Sequence, residues 1–251
     1  MLERFITKDY IGAPFVLFGG PHLAALGVVL LLNLGLIAYG RRIPERWRPR
    51  LRYALAALLL VNELLWHWWN AATGQWTIQT MLPFHLCSAL VWLSQIMLVT
   101  KDVTIYELMY FLGIGGAMQA LLTPDAGIYG YPHLRFLQTM ISHGAIVTAA
   151  VWMTAVEGLR PYPRSIIRVA GIGLAYTVVI GGVNALIGSN YLYIARKPAT
   201  ASLLDVLPAW PWYIPILLLI AALMFGLLYL PFAIKDWQTN RVYNQRLKID
   251  D

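Results

Sequence analysis

Apolar residues in this chain come in long blocks of similar length, not in the alternating or one-sided patterns of strands and helices that face water. The blocks cover about 21–40, 51–72, 81–100, 103–122, 134–155, 166–187 and 212–234. Each is near the roughly 20 residues that an α-helix needs to cross a bilayer. They predict an all-α polytopic membrane protein of seven transmembrane helices, with 1–251 as one membrane domain. A further apolar patch, Phe15 to Phe18, is too short to cross. It ends in Gly19-Gly20-Pro21, a helix-start signal and not a cleavage site, so no removable signal peptide is expected.

Composition sharpens this picture. Hydrophobic residues make up 59% and charged residues 12% of the chain, against about 25% charged in soluble domains, which excludes disordered, fibrous and disulfide-scaffold classes. A net charge of +7 would suggest nucleic acid in a soluble protein. Here the basic residues sit in short loops between apolar runs, where they set topology, and no nucleic-acid partner is expected. Fourteen Lys and Arg fall on one side, in 41–52, at Lys101, Arg160, Arg164 and Arg168, and in the tail after 234. The five on the other side are Arg4, Lys8, Arg135, Arg196 and Lys197. The positive-inside rule then places the N-terminus outside and the C-terminus in the cytoplasm. Trp66, Trp68, Trp69, Trp76, Trp210 and Trp212 collect at the expected outer ends of spans 2, 3 and 7, as an interfacial belt does.

The connections are short except for 188–211, whose alternating aromatics Asn190-Tyr191-Leu192-Tyr193, followed by Arg196-Lys197-Pro198, read as a packed lid. Small residues in spans 4, 5 and 6, among them Gly113, Gly116, Gly144, Gly171 and Gly173, allow helices to approach closely. No internal repeat and no inverted pair of interrupted helices is evident, which counts against a transporter.

Polar residues inside the spans carry the candidate chemistry. Glu63 is the acidic residue expected deep in a span; Glu107, one turn into span 4, is expected to reach back toward Lys101. An intramembrane carboxylate must face a partner or a cavity. Glu63 and His67 share a helix face at i,i+4, with Asn62 and Asn70 nearby, while Gln119, Gln138, His143 and Asn184 lie in the outer halves of spans 4, 5 and 6. At about 1.5 Å per residue from the outer ends, Cys87 lies roughly 9 Å and His143 roughly 13 Å deep, comparable depths on different helices. His85 and Cys87, two residues apart, point roughly 200° away from each other on a regular helix unless Pro83 distorts the first turn. His143, with Gly144 beside it, is therefore the better base for the thiol.

Cys87 is the single cysteine and has no internal disulfide partner. A thiol becomes a nucleophile when an imidazole takes its proton, and a Cys/His pair suits acyl transfer through a thioester. The oxyanion formed on the way needs donors, for which the amides of Asn184, Gln119 and Gln138 are candidates. Plainer readings apply to the same residues. A buried cysteine often only packs, a membrane histidine often bonds a neighbouring helix, and Glu63 with His67 can be a structural pair. Arg196 and Lys197 suit either a lipid phosphate or simple surface anchoring.

Three ordered motifs, Pro83-Phe84-His85-Leu86-Cys87-Ser88, Ser142-His143-Gly144 and Asn190-Tyr191-Leu192-Tyr193 with Lys197-Pro198, resemble the YwaF-like family of bacterial integral membrane proteins over about residues 15–240. That family looks related to the eukaryotic transmembrane protein 164, an acyltransferase that remodels ether phospholipids with a membrane cysteine, and more distantly to membrane threonine hydrolases of hydroxy-fatty-acid esters. The resemblance implies Cys87 as nucleophile and His143 as base. His85, Asn190 and Lys197 match motif positions as supporting or lipid-binding residues, together with Tyr191 and Arg196 at the headgroup.

The reading that results is a cysteine-dependent acyltransferase of the plasma (inner) membrane, its cavity open to the outer leaflet, acting on phospholipids and lysophospholipids without cofactor or metal. Because acyl-CoA is cytoplasmic and the cluster lies in the outer half, the acyl donor is expected to be another phospholipid. One alternative is a zinc hydrolase using His67, His85 and His143 with Glu63, although no HExxH-type spacing is present. Another is a receptor or proton-coupled transporter, in which Glu63 and the histidines form a ligand or proton site.

Overall fold

The computed structural model describes residues 3–198 and 203–247. Residues 199–202 of the expected lid and Lys248 of the basic tail lie outside the described residues. The described residues form helices and turns with no strand. After a short α1 (Glu3–Ile6) come α2 (Gly20–Tyr39), α3 (Arg48–Ala72) and α4 (Leu86–Thr100). α5 (Val103–Leu108) passes through one π-helical turn, Met109–Gly113, into α6 (Ile114–Leu122), and α7 (Leu134–Ala155), α8 (Pro163–Ile187) and α9 (Tyr213–Leu247) complete the chain.

Every apolar block thus contains a helix, the 81–100 block from Leu86 onward. Five segments are long and apolar enough to cross a bilayer: Gly20–Arg42, Val103–Leu122, Leu134–Ala155, Pro163–Ile187 and Tyr213–Thr239. The remaining two expected spans differ. α3 has 25 residues, but its second half carries Asn62, Glu63, His67 and Asn70, which dilute its apolarity. α4 has only 15 residues, roughly 22 Å of helix. The expected start of span 3 at 81 is corrected to 86, because Thr77–Phe84 folds as consecutive turns and His85 becomes the helix N-cap. Pro83 opens this helix late instead of kinking it.

α7 is the central helix, buried along most of its length, with α2, α3, α4 and α6 packed around it. Gly144 lets α2 come close, since a Cβ there would meet Val29 Cγ2 at 2.7 Å. Asn33 of α2 donates to Thr148 of α7 at 3.2 Å. α8 and α9 lie at the periphery and leave most of their surface exposed, as suits lipid-facing helices. The N-terminal segment folds over one end of the bundle, where Ile6, Thr7 and Lys8 offer backbone carbonyls to Trp69, His133 and Tyr129. Trp69 is therefore buried, not part of a solvent-side belt; Trp68, Trp76, Trp210 and Trp212 are exposed.

The other end is tied by charge. Glu157, just beyond α7, pairs with Lys101 at the end of α4 and with Arg52 of α3, and accepts from Trp152 at 3.3 Å. Arg52 also donates to the Val99 carbonyl at 3.3 Å. Lys101 is thus not the partner of Glu107. Glu107 is itself buried, accepting from Ser165 at 2.7 Å and from Arg168 at 2.9 Å, which fastens α5 to α8.

Two outcomes follow for stability. Glu107→Ala leaves the buried Ser165 hydroxyl and the exposed Arg168 without their acceptor and is expected to destabilise by about 1–2 kcal/mol in detergent unfolding, the loss falling on the buried hydrogen bond while water solvates the guanidinium. Burial acts to raise the Glu157 carboxyl, but hydrogen bonds from Lys101 and Trp152 and the charges of Lys101 and Arg52 outweigh it and hold it below its ordinary value of 4.5. Its contribution is therefore fully present above pH 4.5 and lost as pH falls through the lower folded value. Melting followed from pH 6 to pH 3 is expected to fall more steeply for the wild type than for Glu157→Gln.

Candidate functional site

The shared charged end sets the heights of three helices. Counting from Thr100 to Cys87, from Ala155 to His143 and from Arg52 to Glu63 gives rises of about 20, 18 and 16 Å. By this count Cys87, His143 and Glu63 fall within about 4 Å of one height on α4, α7 and α3, three helices that pack on one another, with no hydrogen bond between Cys87 and His143 among the described residues. The roughly 9 Å depth expected from a helix starting at 81 does not apply, since α4 begins at Leu86, yet the equality of levels persists through the short length of α4. Cys87 occupies the first turn of α4, on the stripe of Leu90, Val91, Ser94 and Leu98 that faces the interior. Its thiol is half-buried and makes no hydrogen bond among the described residues.

The five histidines sort by what their ring nitrogens do. His22 accepts from the Phe18 N–H at Nδ1 and donates through Nε2 to the Leu121 carbonyl at 2.7 Å. His133 accepts from the Arg135 N–H and donates to Thr7 at 2.9 Å. His67 accepts from Trp76 Nε1 at 3.0 Å, so its proton sits on Nε2, 3.4 Å from Glu63 Oε1. His143 donates through Nδ1 to the Thr139 carbonyl at 2.8 Å, which leaves Nε2 as a proton acceptor with no partner among the described residues. His143 and Glu63 lie within electrostatic reach of each other. Trp76 bonds His67, His67 faces Glu63, and Glu63 acts electrostatically on His143; Trp76 was read from the sequence only as a belt residue, and Thr139 was not singled out.

His85 is neither opposite Cys87 on a helix nor hydrogen-bonded among the described residues. As N-cap it takes extended backbone angles, and its ring lies 5.0 Å from those of both Tyr191 and Tyr193. The signal missed in the sequence was the aromatic spacing of Tyr191 and Tyr193 against Phe84-His85, a pairing more than a hundred residues apart.

The expected oxyanion amides fare unequally. Asn184 is buried and committed to the turn after α8: Oδ1 accepts from Ser189 at 2.6 Å and Tyr191 N at 2.8 Å, and Nδ2 donates to the Tyr191 carbonyl at 2.9 Å. Gln119 is exposed. Gln138 is buried; its backbone carbonyl accepts from Asn62 at 3.2 Å, and its side-chain amide makes no hydrogen bond among the described residues.

Among the expected headgroup residues, three are occupied in the loop. Asn190 clasps the Ala195 and Arg196 backbone, Lys197 donates to the Leu207 carbonyl at 2.7 Å, and Tyr191 donates to Ile78 and accepts from Leu82 N. Arg196 keeps its guanidinium without a partner among the described residues and borders a cavity of about 490 Å³ with Thr177, Gly181, Ala185 and Ile214. A larger groove of about 770 Å³ lies between α2 and α3 over α7, lined by apolar side chains such as Val28, Leu32, Leu55 and Met140. Its chemistry suits hydrocarbon. Among the described residues no three His, Cys, Asp or Glu side chains converge as a metal-binding set, so His67, His85, His143 and Glu63 do not form the ligand shell that a zinc hydrolase needs.

A family model described as the TMEM164 family matches residues 17–229. The chain is 26% identical over 238 residues to an uncharacterized protein of Treponema pallidum (strain Nichols), a match covering 91% of this chain and 94% of that one. No solved structure matches the chain.

Asn184→Ala removes the acceptor of the Tyr191 N–H and the clamp on the turn. Hydrogen exchange of the amides at 189–193 is expected to quicken at least tenfold, while amides of α7 keep wild-type protection.

Proposed function

The chain belongs to the TMEM164 family, and from that premise we propose that it is a membrane lipid acyltransferase working through a thioester on Cys87. The observation that carries the reading is the open Nε2 of His143, its tautomer set by the Thr139 carbonyl, at the level of the Cys87 thiol. Catalytic hydrogen bonds are often unformed without substrate and tighten in the complex.

His143 Nε2 takes the thiol proton as Cys87 Sγ attacks the ester carbonyl carbon of a phospholipid. The tetrahedral oxyanion collapses, the carbon–oxygen bond breaks, and the departing lysophospholipid oxygen takes the proton from His143. A second lysophospholipid then gives its hydroxyl proton to His143, attacks the thioester and returns the thiolate, which recovers the proton. Acyl chain and protons balance without acyl-CoA. The first-turn N–H groups of α4, at Cys87 and Ser88, have no intrahelical acceptor and are available as donors to an oxyanion formed at Cys87. Glu63 steadies the imidazolium by its charge and is held by His67, whose tautomer Trp76 selects.

The groove between α2 and α3 suits an acyl chain, and Arg196 a lipid phosphate. In this reading α3 and α4 complete a bundle of seven spans with the N-terminus outside, the site opening to the outer leaflet of the plasma membrane.

The test is intact-protein mass spectrometry after incubation in a mixed phospholipid bilayer. The expected result is an acyl adduct on the wild type that hydroxylamine removes and Cys87→Ala lacks. His143→Ala is expected to slow adduct formation by about 10²–10⁴-fold. Acyl exchange that persists at the wild-type rate in Cys87→Ala overturns the proposal.

A further inference from the structure

We propose that Tyr193 is a catalytic residue whose hydroxyl donates a hydrogen bond to the oxyanion formed at Cys87; this rests on the acyl-transfer reading above. The backbone supplies the first argument. Leu192 and Tyr193 both take left-handed angles, φ 59° and φ 53°, although neither is glycine. Such residues are strained and persist where the surroundings over-determine them, commonly at functional sites.

The surroundings here do so from several directions. The Tyr193 N–H donates to the Asn190 carbonyl at 3.1 Å, and the buried Tyr213 hydroxyl donates to the Tyr193 carbonyl. Asn184 holds Tyr191 by both its N–H and its carbonyl, and Asn190 clasps the chain on the far side at Ala195 and Arg196. What these clamps place is one ring. It lies 5.0 Å from that of His85, the N-cap of the helix that carries Cys87, and Tyr193 is within electrostatic reach of Asp125, Arg135 and, more weakly, Cys87.

The hydroxyl is the second argument. Three nearby tyrosines spend theirs on backbone carbonyls: Tyr176 on Phe84, Tyr191 on Ile78 and Tyr213 on Tyr193. The Tyr193 hydroxyl has no hydrogen-bond partner among the described residues, so the strained turn delivers an uncommitted donor. Burial pushes this phenol above its ordinary value of 10.0, and it stays protonated at neutral pH as a donor must. It adds a donor to a set in which Asn184 is committed to its turn and Gln119 is exposed, leaving Gln138 as the buried side-chain amide without a hydrogen bond among the described residues.

The donor forms no bond to the substrate; it stabilises the negative oxygen more than the ester carbonyl from which it arises, and so acts on kcat. The test compares wild type, Tyr193→Phe and Cys87→Ala, each full length in bilayers of a labelled diacyl phosphatidylethanolamine with lysophosphatidylethanolamine as acceptor. For Tyr193→Phe we expect kcat and the rate of thioester formation to fall about 10²–10³-fold, with KM within a factor of two and the melting temperature unchanged. Thioester formation by Tyr193→Phe at the wild-type rate overturns the role of Tyr193 while leaving Cys87 acylation intact. Tyr193→Phe melting well below wild type overturns the uncommitted hydroxyl on which the proposal stands. Wild-type protein that forms no thioester and transfers no acyl group removes the acyl-transfer reading and this proposal with it.

Discussion

Three helices of this bundle take their height from one carboxylate. Glu157 holds Lys101 of the α4 end and Arg52 of α3, and follows directly on α7. Because a helix rises by a fixed amount per residue, pinning three helices at one end fixes which side chains meet farther along. Cys87, His143 and Glu63 reach a common level for that reason, although none of them touches Glu157. A charge cluster at the bundle end is costly to desolvate when incomplete, so its completeness also discourages sliding of α4 against α3 and α7.

The second consequence is the shortness of α4. With its lower end pinned, a helix of 15 residues stops inside the bundle, and the space above it has to be closed by non-helical backbone. Such backbone is tolerated at membrane depth only where protein satisfies its polar groups. The turns of 77–84 meet that demand through Tyr191, which binds Ile78 and Leu82 together, and through Tyr176, which binds Phe84. The loop after α8 is therefore part of the floor of the α4 opening as much as a covering over it.

Much of this was legible along the chain, and what was not has physical reasons. Block length revealed the helices from α2 to α9 but not the short α1 or the 3-10 turns, and Gly19-Gly20-Pro21 marked the start of α2, where Gly19 is the N-cap. Glu63 with His67 was legible because i,i+4 spacing is local. The start of α4 was missed because Met81, Leu82 and Phe84 are apolar although they lie in turns, Phe84 against the Tyr191 ring and Met81 buried, and hydropathy does not distinguish that burial from contact with lipid. The partner of Glu107 was missed because Arg168 is brought up by the packing of α8, whereas Lys101, nearer in sequence, is claimed by Glu157. Asn184, Asn190 and Lys197 looked like ligands because polar side chains that organise a turn have the same composition as those that bind one.

The π-helical turn at Met109–Gly113 bears on how chains of this kind can diverge. It accommodates one residue more than an α-helical path would, so that Glu107 on one side faces α8 while Gly113 and Ala117 on the other are buried against the interior. Removing one residue there would let the segment close as continuous α-helix with Glu107 and the Gly113–Ala117 face keeping their directions, because the bulge is what absorbs the extra residue. The same change within Val103–Leu108 or Ile114–Leu122 would instead rotate one half against the other by roughly 100° and strand either the carboxylate or the small-residue face. A one-residue gap between 109 and 113 in an alignment therefore signals loss of the bulge, with the pairing of α5 with α8 kept.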